Sequence, residues 1–250
     1  SSDSIDLDDW MKIYCEARYG GYPDAMEEAW KLFRKTAYSS LYSYPRFTWQ
    51  TVVPDQRRIS KIDLSDDYLQ AIRLYASCAD ELKSSELYRN DLIEFVSYYV
   101  AAKAENFYKQ ALKDDSENRV LAAQRNLQQT VDLLMDVDRL LASHPLYRLE
   151  EWVEFARNSG TTLQEKDAYE ANAKRLITSW GGIQEDYAAR FWSGLIKDYY
   201  IPRIQLYFTK DRNKIREWEE QWITSPWSNS TTPFDDPVKA ALSLIEKTNK

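Results

Sequence analysis

Two consecutive long helical patterns in the middle of the chain constrain its fold more than any other feature of the sequence. In the first, which begins at Ser85, apolar residues recur at four-residue steps: Leu92, Val96, Val100, Ala104 and Tyr108. In the second, which begins at Ser116, apolar residues recur at seven-residue spacing: Val120, Leu127, Leu134 and Leu141. Each pattern predicts a buried stripe along one helix. Because only Asp114–Asp115 joins the two patterns, we expect an antiparallel helical hairpin.

Shorter helices are predicted on both sides of this hairpin from capping residues and stop signals. They begin at Asp8 or Asp9, Pro23, Ser65, Leu149, Thr161 or Thr162, Lys214 and Pro237. Periodicity fails near residues 41–64, where we expect a long ordered loop. The prediction is therefore an all-α fold, a multi-helix bundle of antiparallel helices. We expect a single domain over residues 1–250, with a subdivision near residues 144–146.

Composition and charge exclude several classes of function. The net charge is -7, which disfavours binding to nucleic acid because an acidic surface repels phosphate. No apolar run approaches the roughly 20 residues that a membrane-spanning helix needs. One histidine, His144, and two distant cysteines, Cys15 and Cys78, supply neither a zinc ligand set nor a Cys–His or Ser–His catalytic pair. We therefore expect no metal, no cofactor, no nucleic-acid partner and no membrane-spanning segment.

The segment from Tyr169 to Phe208 carries the main candidate site. It predicts a helix that ends at Trp180, a tight turn through two glycines, and an aromatic helix from Glu185. Pro202 must either kink this helix or begin a new turn. Trp180, Asp186 and Tyr187 would lie at the glycine turn, an aromatic and polar set that suits a sugar. Two alternatives stay open at this point. Asp186 would equally serve as the N-cap of the aromatic helix, and the two rings would equally be packing residues.

Several short motifs occur in one order along most of the chain. They are Arg18-Tyr19-Gly20, Ala29-Trp30 with Tyr38, Tyr88-Arg89-Asn90-Asp91-Leu92, Trp152-Val153-Glu154 with Ala156-Arg157, Tyr169-Glu170 with Asn172-Ala173, Trp180-Gly181, Asp186-Tyr187-Ala188, Trp192-Ser193-Gly194-Leu195, Tyr199-Tyr200 and Pro202-Arg203. In this order they resemble the C-terminal helical domain of the α-N-acetylglucosaminidase family, glycoside hydrolase family eighty-nine. The resemblance covers about Asp6 to Phe208, and the tail after Asp211 matches poorly.

The resemblance implies a division of labour with a catalytic domain. Members of the family look like a small N-terminal domain, a (β/α)-barrel with two catalytic glutamates, and a helical domain packed against the barrel. They remove terminal α-linked N-acetylglucosamine with retention, and the lysosomal member trims heparan sulfate. The sequence contains neither the barrel nor its glutamates. We therefore expect no catalytic residue and no activity of this chain alone, and the family points to an extracytoplasmic location: secreted, periplasmic or lysosomal.

The resemblance also implies which side chains line the sugar pocket. Trp180 and Tyr187 correspond to the pocket Trp and Tyr of the family. The connection through Gly182–Glu185 is shorter than in the lysosomal enzyme, so Ile183 or Gln184 replaces its apolar residue. The candidate substrate-binding residues are therefore Trp180, Tyr187, Asp186 and Gln184.

A second departure from the family concerns the loop after Tyr38. That loop supplies a pocket histidine in the lysosomal relative, but residues 41–58 of this chain contain none, and Arg46 or Trp49 is the candidate replacement. The expected partners are the catalytic barrel of the same parent protein and a glycan with terminal N-acetylglucosamine. The alternative is a stand-alone helical module that binds carbohydrate or protein without catalysis.

Overall fold

The computed structural model describes residues 4–39, 47–51, 65–180, 186, 188–228 and 230–248. This part of the chain contains eleven α-helices and no β-strand, which confirms the all-α prediction. The helices are α1 (Leu7–Tyr19), α2 (Asp24–Lys35), α3 (Asp66–Ser77), α4 (Ala79–Leu82), α5 (Glu86–Ser116), α6 (Val120–Leu141), α7 (Leu149–Asn158), α8 (Leu163–Leu176), α9 (Ile201–Tyr207), α10 (Arg212–Thr224) and α11 (Pro237–Lys247). Of the loop expected near residues 41–64, only 47–51 lie within the described residues, and they contain a 3-10 turn, Thr48–Gln50.

The chain folds as two compact units. The first comprises Ser1–Pro45, Lys61–Val100 and Asp235–Lys250, and the second comprises Arg46–Ser60 and Ala101–Phe234. Residues 144–146, where a subdivision was expected, lie within the second unit. The expectation of a single domain stays a prediction.

The core of the first unit is a cluster of aromatic rings. Tyr75 stacks on Tyr88 with ring centroids 4.9 Å apart, and Tyr19 meets both rings edge-on. Beside them, Asp91 accepts two hydrogen bonds from the Arg18 guanidinium, at 2.7 and 2.6 Å, and one from the Tyr19 hydroxyl at 2.6 Å. The motifs Arg18-Tyr19-Gly20 and Tyr88 to Leu92 therefore meet, and their polar residues hold α1 against α5.

In the second unit, the link between the two long helices differs from the prediction. The expected break at Asp114–Asp115 is wrong, because α5 continues to Ser116 and α6 begins at Val120. Asp114 is buried and accepts hydrogen bonds from Arg119, from Asn126 and from Gln110 one turn earlier. A carboxylate with these partners stabilises the helical turn that it would otherwise interrupt.

The aromatic helix predicted from Glu185 begins later than expected. Residues 188–192 are irregular, and the helical backbone starts with a π-helical turn, Ile196–Tyr200, which runs into α9. The N-terminus is set by Asp138 of α6, which accepts hydrogen bonds from the backbone N–H groups of Gly194 (2.8 Å) and Lys197 (3.0 Å). Pro202 lies in the first turn of α9, where its missing N–H is tolerated after the wide π turn.

We expect the substitution Asp91→Ala to destabilise the protein by about 2–3 kcal/mol, because it leaves a partly buried guanidinium and phenol without their charged acceptor. The matched control is Asp8→Ala, which breaks the exposed ion pair between Asp8 and Arg34 and should cost less than about 1 kcal/mol. Urea unfolding followed by circular dichroism measures both. Equal losses in the two variants would contradict this assignment.

Candidate functional site

The turn that carries the candidate sugar-binding residues is closed at its base by backbone hydrogen bonds. The N–H of Asp186 donates to the carbonyl of Thr178 at 2.9 Å, and the N–H of Trp180 donates to the carbonyl of Arg175 at 2.8 Å. Trp180 and Asp186 both have left-handed backbone conformations, with φ of 48° and 59°. Such conformations are uncommon outside glycine and persist where the surrounding contacts fix them. The entry to the turn and its exit are therefore held together.

The structure describes two of the four predicted site residues, and they differ in exposure. Trp180 is half-exposed, with 39% of its surface accessible. Asp186 is buried, with 3% accessible. Gln184 and Tyr187 lie outside the described residues, as do both glycines of the turn. The role of all four in sugar binding stays a prediction.

The carboxylate of Asp186 belongs to a buried network centred on Arg203. One terminal nitrogen of the Arg203 guanidinium donates to Asp186 (2.8 Å), to Glu219 (3.0 Å) and to the Tyr199 hydroxyl (3.1 Å). The other terminal nitrogen donates to the backbone carbonyl of Gln50 at 2.8 Å. Tyr199 in turn donates its hydroxyl proton to Glu219 at 2.7 Å. The network therefore joins the turn, the 3-10 turn, the π-helical segment and α10.

Electrostatics keeps Arg203 charged in this network. Burial alone would lower the pKa of Arg203, but the attraction of the Asp186 and Glu219 carboxylates outweighs burial and raises the pKa well above its usual value. Burial also raises the pKa of the Tyr199 hydroxyl, so that group stays protonated. Both carboxylates are buried and bonded to Arg203, so neither can act as an acid or a nucleophile toward a sugar outside the bundle.

Of the two candidates to replace the family's pocket histidine, Arg46 lies outside the described residues and Trp49 is completely buried. The Trp49 ring stacks on Phe47 with centroids 4.9 Å apart and meets Tyr200 edge-on. Trp49 is therefore a packing residue of the second unit. Nearby, the Tyr200 hydroxyl donates to the carbonyl of Arg190 and accepts from its N–H, which fixes the chain after Asp186.

Sequence reasoning missed Arg203, Glu219 and Gln50 as the residues that position the turn. The motif Pro202-Arg203 gave a signal for Arg203, but nothing in the sequence pointed to its partners. A similar pairing of motifs occurs between α7 and α8, where Arg157 donates to Glu170 at 2.6 Å. The indole N–H of Trp152 donates to the carbonyl of Ala173 at 2.9 Å.

The chain matches a family model described as the alpha-N-acetylglucosaminidase (NAGLU) C-terminal domain over residues 10–247. This match spans nearly all of the sequence. The chain belongs to this family. The family assignment agrees with the resemblance carried by the paired motifs, including Asp186 with Arg203.

The relatives of this chain are longer proteins, and the chain matches only a part of each. The chain is 28% identical over 218 residues to human alpha-N-acetylglucosaminidase, a match that covers 81% of this chain and 28% of the relative. A Family 89 glycoside hydrolase from Clostridium perfringens, solved in complex with PUGNAc, has the same fold with a TM-score of 0.84 at 22% identity. That match covers 98% of this chain and 32% of the clostridial chain. The chain thus spans about a third or less of the length of these relatives.

A second structure of the clostridial enzyme contains two Glu→Gln substitutions and the substrate GlcNAc-α-1,4-galactose, and it matches with a TM-score of 0.83. At 22% identity these matches show the fold of the C-terminal domain. Within the part of this domain that the structure describes, no helix has the length and hydrophobicity to cross a lipid bilayer.

We expect Arg203→Met to destabilise the protein by about 3–5 kcal/mol, because it leaves two buried carboxylates without a counter-ion. Adding Asp186→Asn and Glu219→Gln should restore part of the loss, since the neutral amides remove the stranded charges. The control Arg175→Met breaks the exposed pair between Arg175 and Glu220 and should cost less than about 1 kcal/mol. Chemical unfolding measures all of these variants, and a triple variant less stable than Arg203→Met would contradict the expectation.

The stabilising effect of Asp138 should decline as the pH rises. Burial raises the pKa of Asp138 above 3.8, although the hydroxyl of Thr231 and two backbone N–H groups partly oppose this. A raised pKa in the folded state means that the contribution to stability is complete below the unfolded-state pKa and is lost as the pH rises through the folded-state pKa. Wild type should therefore lose stability relative to Asp138→Asn as the pH rises above the usual pKa of an aspartate, about 3.9. Thermal unfolding at several pH values measures the difference, and an opposite slope would contradict it.

Proposed function

We propose that this chain is the helical domain that completes the sugar pocket of an exo-α-N-acetylglucosaminidase. The observation that carries the proposal is membership of the C-terminal domain family over residues 10–247, in a chain that spans about a third or less of its relatives. The partner is the catalytic barrel of the same parent protein. The substrate is a glycan with a terminal α-linked N-acetylglucosamine, and the location is extracytoplasmic, as the family implies.

Within this function, Trp180 provides an apolar face for the sugar ring. A half-exposed indole can stack on the apolar face of a pyranose, and this contact needs no charge. Tyr187 and Gln184 would add polar contacts, because a phenol hydroxyl and an amide can bond sugar hydroxyls or the acetamido group. Asp186 would support these contacts indirectly, because its ion pair with Arg203 holds the turn in place. The barrel would supply the glutamates that perform hydrolysis.

In the complete enzyme that carries this domain, we expect Trp180→Ala to lower kcat/KM for a chromogenic α-N-acetylglucosaminide by about tenfold, which corresponds to about 1.4 kcal/mol of lost binding energy. The matched control is Trp10→Ala, which removes another exposed indole, on α1. That variant should leave kcat/KM unchanged. Equal effects of the two substitutions would contradict a pocket role for Trp180.

The chain without its catalytic partner should show no hydrolysis of the same substrate. It should also show no sugar binding that depends on Trp180, because an open half-pocket does not enclose a ligand well enough to bind it. Turnover by the chain alone would overturn the proposed division of labour. Affinity for N-acetylglucosamine that Trp180→Ala abolishes in the isolated chain would instead support a stand-alone binding module.

A further inference from the structure

A second aromatic surface lies in the second unit. A cleft of about 260 Å³ is lined by three tryptophans, Trp218, Trp222 and Trp227. All three belong to the tail after Asp211, where the sequence resemblance to the family is poor. The remaining lining residues are Lys174, Asp198, Pro202, Ser225, Pro226 and Ser228.

The cleft is preformed, because each of its walls is fixed by contacts within the unit. Trp218 and Trp222 lie one turn apart on α10 and pack on Tyr199, with ring centroids 5.5 and 4.8 Å away. The buried amine of Lys174 donates to the carbonyls of Trp222 and Ser225, which fixes the end of α10.

The third indole is also held from two sides. The Trp227 indole N–H donates to Asp198 at 3.1 Å, and its backbone N–H donates to Glu170 at 2.5 Å. A ligand would therefore meet three rings already in place and would not have to order them, which favours affinity.

Several of the residues that line the cleft have unused hydrogen-bonding capacity. Among the described residues, the indole N–H groups of Trp218 and Trp222 have no hydrogen-bond partner, and neither do the side-chain hydroxyls of Ser225 and Ser228. The Asp198 carboxylate accepts one hydrogen bond, from Trp227, and 15% of its side chain is accessible. A few donors and acceptors around an apolar platform are the usual composition of a small-molecule site.

The charges at the cleft favour a neutral ligand. The Lys174 ammonium is 3.1 Å from the Glu170 carboxylate, so its charge is already compensated inside the unit. The Asp198 carboxylate lies 3.9 Å from the Lys197 ammonium and keeps a negative group at the wall. An anionic ligand would meet this carboxylate at close range, whereas hydroxyl groups can donate to it.

We propose that the Trp218–Trp222–Trp227 cleft is a binding site for one neutral pyranose unit of a glycan. Indole faces would stack on the apolar face of the ring, and Asp198, Ser225, Ser228 and the free indole N–H groups would bond its hydroxyls. The cleft lies below the usual 300–1,000 Å³ of drug-sized ligand pockets, which suits a single sugar ring. It neither depends on Trp180 nor requires the catalytic partner.

Titration of the whole chain with sugars tests the proposal. The readout is the set of indole N–H resonances in nitrogen–proton correlation spectra, assigned by single Trp→Phe substitutions. Galactose and N-acetylglucosamine are the neutral probes, glucuronic acid is the anionic probe, and a proline-rich peptide tests for a polypeptide ligand. The resonances of Trp218 and Trp222 should shift with the neutral sugars, while those of Trp10 and Trp180 should not.

Substitutions then connect the shifts to the cleft. Trp218→Ala should weaken the neutral-sugar affinity by at least about tenfold, whereas Trp10→Ala and Trp180→Ala should leave it unchanged. Because Trp218 also packs on Tyr199, Ser228→Ala provides a second variant at an exposed position and should weaken binding several-fold without changing thermal stability.

The proposal would be overturned by no shift at Trp218 and Trp222 with either neutral sugar, by equal or larger shifts with glucuronic acid or the peptide, or by full affinity in both cleft variants. Loss of affinity in Trp180→Ala alone would also overturn it. The test is separate from that of the pocket role of Trp180, which is read from hydrolysis by the complete enzyme.

Discussion

The buried positive charge of Arg203 is the constraint on which the rest of the second unit depends. A guanidinium removed from water is tolerated only where carboxylates and carbonyls replace its hydration. Asp186, Glu219 and the carbonyl of Gln50 provide that replacement, and they come from three segments far apart in sequence. The charge therefore fixes where these segments meet. The position of the turn at Trp180 follows from this requirement, because Asp186 closes the turn through Thr178.

The same requirement explains why charged residues of the family motifs have a structural role. The motif around Arg18 meets the motif around Asp91 in the first unit, and Arg157 meets Glu170 in the second. Each pair satisfies a charged group that the helical packing removes from bulk water. Charged residues in these motifs therefore specify which helices come together. The exposed aromatic side chain of Trp180 is different, since its accessible surface is not needed for packing.

The sequence predicted what depends on neighbouring residues and missed what depends on distant ones. The all-α class followed from local periodicity, whereas the helix that was predicted to end at Trp180 ends at Leu176. The role of Trp180 stays a prediction. The start of the helix at Ile196 was missed, because Asp138, which sets it, lies more than fifty residues earlier in the chain. The Arg203 network was missed for the same reason, as its contact with Gln50 spans 153 residues. The cleft at Trp218 requires the fold, because Asp198 and Trp227 meet only there.

The free energy of the buried ion pair limits which side chains of the turn could contact a sugar. Turning the Asp186 carboxylate toward a sugar would deprive Arg203 of one of its two counter-ions, and breaking a buried pair costs about 3–5 kcal/mol. A hydrogen bond between a carboxylate and a sugar hydroxyl returns only about 1.5–3 kcal/mol. Asp186 is therefore better suited to hold the turn than to contact the ligand. Stacking a sugar on Trp180 would break no buried ion pair, because that residue is already partly accessible, which supports the role proposed for it.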